Sequence, residues 1–171
     1  MVYDHTLMTP RYSSHPKNYG TQATKLYKPF ASIQNVEVEH CREAYGLLLQ
    51  MYIHMKGNAV NSFVLCFSGD TRPSARLTKA CQIYSQNNPI SLLIHEATFL
   101  HDSQGREDAI RKRHSTVKEA LDVATNIEAE ACLLTHFSQR YTHVSVDDVS
   151  GDGSGNSYTG SWGIACDGML I

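Results

Sequence analysis

Asp70, Glu96 and His136 share one kind of position, each at the end of a short apolar run. Phe63-Val64-Leu65-Cys66-Phe67 leads through Ser68-Gly69 to Asp70, Leu92-Leu93-Ile94 leads to His95-Glu96, and residues 131–135 lead to His136. His40 follows an alternating stretch, Val36-Glu37-Val38-Glu39. In open α/β sheets functional groups gather at the carboxyl ends of strands, so these four groups can converge on one edge. Histidine and aspartate are ligands that a borderline cation such as zinc takes, and water activated by the metal is a hydrolytic nucleophile. The competing reading is structural. A single His or Asp at a strand end is commonly a turn former, and Asp70, between Gly69 and Thr71, is placed to cap the following segment. Position alone leaves both readings open.

The elements that would carry these groups can be traced in the hydrophobic pattern. Residues 1–35 are rich in Tyr, Ser, Thr, Lys and Pro without sustained periodicity and read as a poorly defined N-terminal arm. Alternation from Val36 predicts a short strand. The runs 45–52 and 63–67, separated by a turn at Gly57-Asn58, predict a hairpin. Pro73 opens a helix whose apolar positions are Leu77, Ala80, Cys81 and Tyr84, and Asn87-Asn88-Pro89 stops it. Leu92-Leu93-Ile94 is a buried strand, and residues 101–113 are a charged loop or helix. Thr116 and Glu119 have the spacing of a capping box, followed by an apolar stripe of Val117, Ala120, Leu121, Ala124 and Ile127. Residues 131–135 form another buried strand, 145–160 an exposed Gly/Ser/Asp-rich loop, and 162–171 a last strand with a turn at Asp167-Gly168. The Asp-Gly stretch 148–156 lacks the alternating ligands and closing Glu of a calcium loop. Strands alternate with helices, which argues for a mixed α/β domain.

With 171 residues, 42% of them hydrophobic, the chain can bury one core and is too short for two ordinary domains. Fifteen basic against seventeen acidic residues give a net charge of -2, so a general electrostatic grip on nucleic acid is not visible in the total. Any RNA contact must come from a local patch. Arg11, Lys17, Lys25 and Lys28 against Asp4 would supply one in the arm, although a solvated, partly ordered arm is the simpler account of them. Cys41, Cys66, Cys81, Cys132 and Cys166 show no CxxC pair and several lie in apolar runs, as buried free thiols in a reducing compartment would. No apolar run approaches the length of a membrane span, and no signal core or transit peptide is visible, so the expectation is a soluble intracellular protein.

Five short motifs follow one another in order: Val38-Glu39-His40-Cys41, Ser68-Gly69-Asp70-Thr71, His95-Glu96-Ala97-Thr98, His114-Ser115-Thr116 and His136-Phe137-Ser138-Gln139-Arg140-Tyr141. This series resembles the C-terminal catalytic half of tRNase Z, the metallo-β-lactamase-superfamily endonuclease that trims the 3′ trailer from precursor tRNA. The motif forms look like those of the eukaryotic long enzymes. Gly163-Ile164-Ala165-Cys166-Asp167-Gly168-Met169 is similar to that family's late strand, with Cys166 where Phe is familiar. The resemblance covers residues 36–171 and implies an α/β fold, the C-terminal half of a metallo-β-lactamase-type αββα sandwich. It implies two zinc ions in the complete enzyme, with His40 on one, His136 on the other and Asp70 bridging both. Glu96 and His114 would form a hydrogen-bonded pair that protonates the leaving oxygen, since cleaving a phosphodiester leaves an alkoxide. Against this, His114 stands two residues before a helix N-cap, and Glu96 would serve equally as a surface carboxylate. Ser138, Arg140 and Tyr141 look like a helix entrance, where backbone amides and an Arg fork can hold the RNA backbone. The bland alternative for Arg140 is a structural pair with a carboxylate. His54, His95, His101 and His143 have no assignable role. The implied compartments are nucleus, mitochondrion or both, with the cytosol as a third.

The family's defining His-x-His-x-Asp-His cluster has no counterpart here: none of the nine histidines forms a His-x-His, and His5 and His15 lack the Asp-His context. The tRNA-gripping arm is likewise unrecognisable. Two explanations compete. The chain belongs to a longer enzyme, or works beside a missing N-terminal half or second subunit. Alternatively it is a catalytically inactive fragment or relic that binds RNA or a partner. In either case a half-sandwich leaves one sheet face without its partner. A different phosphodiester or ester substrate is a third and weaker expectation, opposed by the His114 and His136 motifs.

Overall fold

The structure, a computed structural model, describes residues 30–54, 60–141, 143–144 and 158–165. Among these residues one sheet holds six strands in sequence order. They are β1 Phe30–Glu37, β2 Tyr45–His54, β3 Val60–Phe67, β4 Leu92–Glu96, β5 Ala131–Thr135 and β6 Ser161–Ile164. Helix α1, Ala75–Ser85, joins β3 to β4; α2, Ser103–Lys112, and α3, Val117–Asn126, join β4 to β5. β1, β2 and β3 pair antiparallel, whereas β3 through β6 run parallel. β1 therefore points the same way as β3, so the carboxyl ends of β1, β3, β4 and β5 lie along one edge.

The strand period of two sorts the side chains. Val36, Leu48, Val64, Cys66, Leu93, Cys132 and Leu134 form one core with Leu77 and Cys81 of α1 and with Val117, Ala120, Leu121 and Ala124 of α3. The opposite face carries Ile33, Leu47, Leu49, Leu65 and Phe67 in register. Among the described residues this face is partly exposed: Ile33 is 39% and Phe67 41% exposed, and Leu47, Leu49 and Leu65 are half-buried. Each helix starts at an oxygen-bearing cap. The Ser74 hydroxyl accepts from Leu77 N–H and the Asp102 carboxylate from Gly105 N–H. Thr116 and Glu119 form the expected reciprocal capping box, and residues 103–112, left open between loop and helix, are helical. Cys66, Cys81 and Cys132 are buried free thiols, whereas Cys41 is exposed.

Two local expectations change. Residues 30–35, assigned to the arm, belong to β1, six residues before the first apolar alternation. The strand is held by backbone pairing to β2, and its helix-side positions are polar: the Ser32 and Tyr84 hydroxyls lie 2.6 Å apart. No hydrophobic period is therefore visible there. Residues 137–141 form a turn rather than a helix entrance, closed by Tyr141 N–H donating to Ser138 O at 3.0 Å. The arm's residues 1–29, the Gly57-Asn58 turn, most of the 145–160 loop, Cys166 and the Asp167-Gly168 turn lie outside the described residues.

Candidate metal centre

The strand-end edge is built by three departures from ordinary backbone. Gly69 carries the chain out of β3 with φ +61°, and a Cβ there would stand 2.7 Å from the Tyr45 carbonyl oxygen, so only glycine fits. His136 itself takes φ 62°, left-handed for a non-glycine residue, which turns its ring back from the end of β5 toward the edge. Arg113 ends α2 in the same conformation, with φ 59°, and its carbonyl is thereby directed at His40. At His136 and Arg113, which are not glycine, such backbone costs about 1–3 kcal/mol per residue and persists where surrounding contacts over-determine it.

Glu96, only 2% exposed, is the centre of the edge. Its Oε1 accepts from Thr71 N–H (2.8 Å) and from His114 Nδ1 (2.8 Å). Its Oε2 accepts from Thr98 N–H (3.1 Å), the Thr98 hydroxyl (2.8 Å) and Ser115 N–H (3.1 Å). A buried carboxylate costs several kcal/mol unless paired and hydrogen-bonded, and five donors meet that requirement. Further bonds tie the loops together. Glu96 N–H donates to Ser68 Oγ, Ser115 Oγ–H to Thr71 O, and Arg72 reaches both the His114 carbonyl and the Glu119 carboxylate.

The three histidines of the edge are held alike. Each has Nδ1 2.8 Å from an acceptor: the Arg113 carbonyl for His40, Glu96 Oε1 for His114 and the Thr98 hydroxyl for His136. With the proton on Nδ1, each Nε2 offers its lone pair. The rings are neighbours, with centroids 4.6 Å apart for His40–His114 and 5.3 Å for His114–His136. One ligand atom from each of His40, Asp70 and His114 lies within 4.8 Å of the others, and His136 Nε2 lies 3.7 Å from Asp70 Oδ1. Nitrogen and carboxylate donors of this softness, with Nδ1 occupied by an outer partner, fit zinc. Glu96 is grouped with His114 and His136 at similar range, but both of its oxygens are already saturated by donors.

All five residues singled out for metal or acid–base work thus meet on one edge. Ser138, Arg140 and Tyr141 lie beside it in different circumstances. Arg140 pairs with Asp108 at 2.7 Å and stacks over Phe99, 4.9 Å from the ring centroid. Asp108 also binds Arg111, and the two guanidiniums, Arg111 first, hold its carboxyl down at about 2. Tyr141 OH accepts from Leu100 N–H at 3.2 Å, and Ser138 N–H donates to Thr98 O. Thr71, Thr98, Ser115 and the Arg113 carbonyl carry much of the geometry and were not anticipated. Their signal was available as a small hydroxyl residue next to, or two after, three of the five candidates: Asp70-Thr71, Glu96-x-Thr98 and His114-Ser115. His95, also unassigned, is fully buried. Its Nδ1–H donates to the Glu96 carbonyl (2.7 Å), Nε2 has no partner among the described residues, and burial depresses its pKa.

The fold and the edge define the class. The chain superposes with a TM-score of 0.54 on YhfI, a metallo-β-lactamase fold protein from Bacillus subtilis, at 20% identity over 80% of this chain and 47% of that one. It superposes at 0.67 on the long form RNase Z from yeast, at 30% identity over 85% of this chain and 18% of that one. The sheet is therefore a metallo-β-lactamase-fold sheet. By sequence, 115 residues (66% of the chain) are 36% identical to the mitochondrial tRNase Z TRZ3 of Arabidopsis thaliana. Ribonuclease Z 2, mitochondrial, of Schizosaccharomyces pombe is 40% identical over 109 residues, 64% of the chain. No protein-family model matches the chain. The chain is thus similar to tRNase Z (ribonuclease Z) proteins in sequence and fold, and it spans 12% and 14% of the length of those two relatives.

Proposed function

We propose that the chain forms part of a zinc-dependent endoribonuclease that removes the 3′ trailer from precursor tRNA. The observation that carries this is the set of three imidazoles and Asp70, each ring pinned at Nδ1 and presenting Nε2 to one edge. In this proposal His40, Asp70 and His136 would hold zinc, with Asp70 serving the sites of both histidines. When bound, zinc supplies a Lewis acid that activates water and polarises the phosphoryl oxygens. His114, oriented by Glu96, carries a proton on Nε2 to the leaving 3′ oxygen while Glu96 compensates the imidazolium charge. Ser138, Arg140 and Tyr141 contact the RNA backbone. Arg140 is 36% exposed in its pair with Asp108, which leaves part of the guanidinium free to meet a phosphate.

One His and a shared Asp per ion is short of the three protein ligands usual for catalytic zinc. The proposal therefore includes a further segment or second subunit that supplies the remaining ligands. No described helix is long and apolar enough to cross a membrane. Relatives named mitochondrial support the mitochondrion as a site of action, with nucleus and cytosol as the other compartments.

The test is zinc content by elemental analysis after dialysis, with titration of zinc into the purified chain and into Asp70→Ala and His136→Ala, alongside cleavage of a trailer-bearing precursor tRNA. Weak binding that both substitutions abolish, with little or no cleavage by the chain alone, is expected. Zinc affinity indifferent to both substitutions would remove the metal assignment. Efficient zinc-dependent cleavage by the chain alone would remove the need for further ligands.

A further inference from the structure

We propose that Thr98 is a positioning residue that sets the tautomer of His136, through a one-way hydrogen-bond chain from His136 through Thr98 to Glu96. The inference rests on His136 being a metal ligand, and it concerns what makes that imidazole competent. Glu96, ionised, only accepts hydrogen bonds. The Thr98 hydroxyl is 2.8 Å from Glu96 Oε2 and donates to it. A hydroxyl has one proton, so the contact of Thr98 Oγ1 with His136 Nδ1, also 2.8 Å, must be made by a proton on the ring nitrogen. Neutral imidazole has a single N–H, and Nε2 is therefore bare. That nitrogen lies 3.7 Å from Asp70 Oδ1, beyond hydrogen-bond length, with both side chains about half exposed at the open edge.

The same residue fixes the ring's approach. Thr98 O accepts from Ser138 N–H at 3.0 Å, just past His136, whose φ of 62° brings its side chain back over β4. Thr98 N–H is itself anchored on Glu96 Oε2 at 3.1 Å. Glu96 thereby orients two imidazoles at once, His114 directly and His136 through Thr98. The direction of the relay originates in the carboxylate's lack of protons. At 7% exposure Thr98 leaves little room for water to replace its hydroxyl.

The substitutions that separate hydroxyl from shape are Thr98→Val and Thr98→Ser. The readout is the protonated nitrogen of His136, from long-range ¹⁵N–¹H couplings on the metal-free chain, about two pH units above the ordinary imidazole pKa of about 6.5. Wild type and Thr98→Ser are expected to carry the proton on Nδ1. In Thr98→Val the acceptor is gone, and the proton moves to Nε2, where Asp70 and water receive it. Zinc affinity, read by competition with a chromophoric chelator, then falls about 10–100-fold in Thr98→Val and is largely restored in Thr98→Ser. A wild-type His136 protonated on Nε2, or a Thr98→Val chain with the proton still on Nδ1, overturns the inference. The wild-type measurement decides the first point even if the valine variant does not fold. A tautomer that moves as stated, in a chain whose zinc affinity ignores Asp70 and His136, would keep the role of Thr98 and sink the metal proposal. Zinc binding through those residues with an unmoved tautomer would do the reverse.

Discussion

Replacing Glu96 by Gln changes one atom and no volume, yet the donor arrangement around it predicts a large loss of stability. The carboxylate accepts from Thr71 N–H and His114 Nδ1–H at Oε1 and from two groups of Thr98 and Ser115 N–H at Oε2. A glutamine amide has one acceptor oxygen. Placed at the Oε2 site, it keeps three donors, while its NH₂ faces Thr71 N–H and His114. His114 can escape by moving its proton to Nε2, but Thr71 N–H has no alternative. An unsatisfied buried donor costs about 1–3 kcal/mol, and the three retained bonds lose their charge assistance. Together these effects come to roughly 3–5 kcal/mol, against a total stability of about 5–15 kcal/mol for a domain. With a urea m value of about 1.5 kcal/mol/M, the unfolding midpoint should fall by about 2–3 M. The control is Glu37→Gln, which removes the exposed pair with Arg76, whose side chains are 60% and 66% exposed. It should change stability by no more than roughly 0.5 kcal/mol, a midpoint shift of at most about 0.3 M. Urea unfolding followed by circular dichroism reads both. Equal midpoints for Glu96→Gln and wild type would mean that the five-donor cage does not form.

Three other outcomes are expected. Asp70→Ala should weaken zinc binding by at least about tenfold, because even outer partners of a metal ligand are worth about 10–100-fold. His101→Ala, which loses a bond to Thr116 away from the edge, should not, and comparable losses in the two titrations would undo the placement of Asp70 as ligand. Gly69→Ala forces a Cβ against the Tyr45 carbonyl and should cost at least about 1–3 kcal/mol, with an unchanged urea midpoint contradicting the left-handed turn. His95, held neutral by burial, binds its proton in the unfolded chain near 6.5 but not in the folded one. Its contribution is therefore complete above that pH and lost as pH falls, with a slope of up to about 1.4 kcal/mol per pH unit. Glu96 and Glu119 favour its charged form but are outweighed by burial. Unfolding of His95→Gln and wild type between about pH 7.5 and 5.5 should differ by that slope, and parallel profiles would contradict it.

What the sequence determined by itself was the placement of Asp70, Glu96 and His136 behind apolar runs, the capping box at Thr116 and the period of α3. These are local properties, set by side-chain order and by caps a few residues away. Strand-end position also reached His40, whereas the resemblance carried by five motifs supplied His114 and its pairing with Glu96, and the fold and relatives agree with that resemblance. Only the tertiary structure decided that β1 begins at Phe30, since its partner lies on β2 and its helix-facing residues are polar. Only it showed a turn after His136, and Arg140 spent partly on Asp108. The outer partners of the imidazoles, Arg113 O for His40 and Thr98 for His136, lie 73 and 38 residues away along the chain. No spacing rule reaches that far. A hydrogen bond between distant loops exists only once a shared sheet edge has brought the loops within 3 Å, and hydrophobic burial on the opposite side of the strands decides which edge that is.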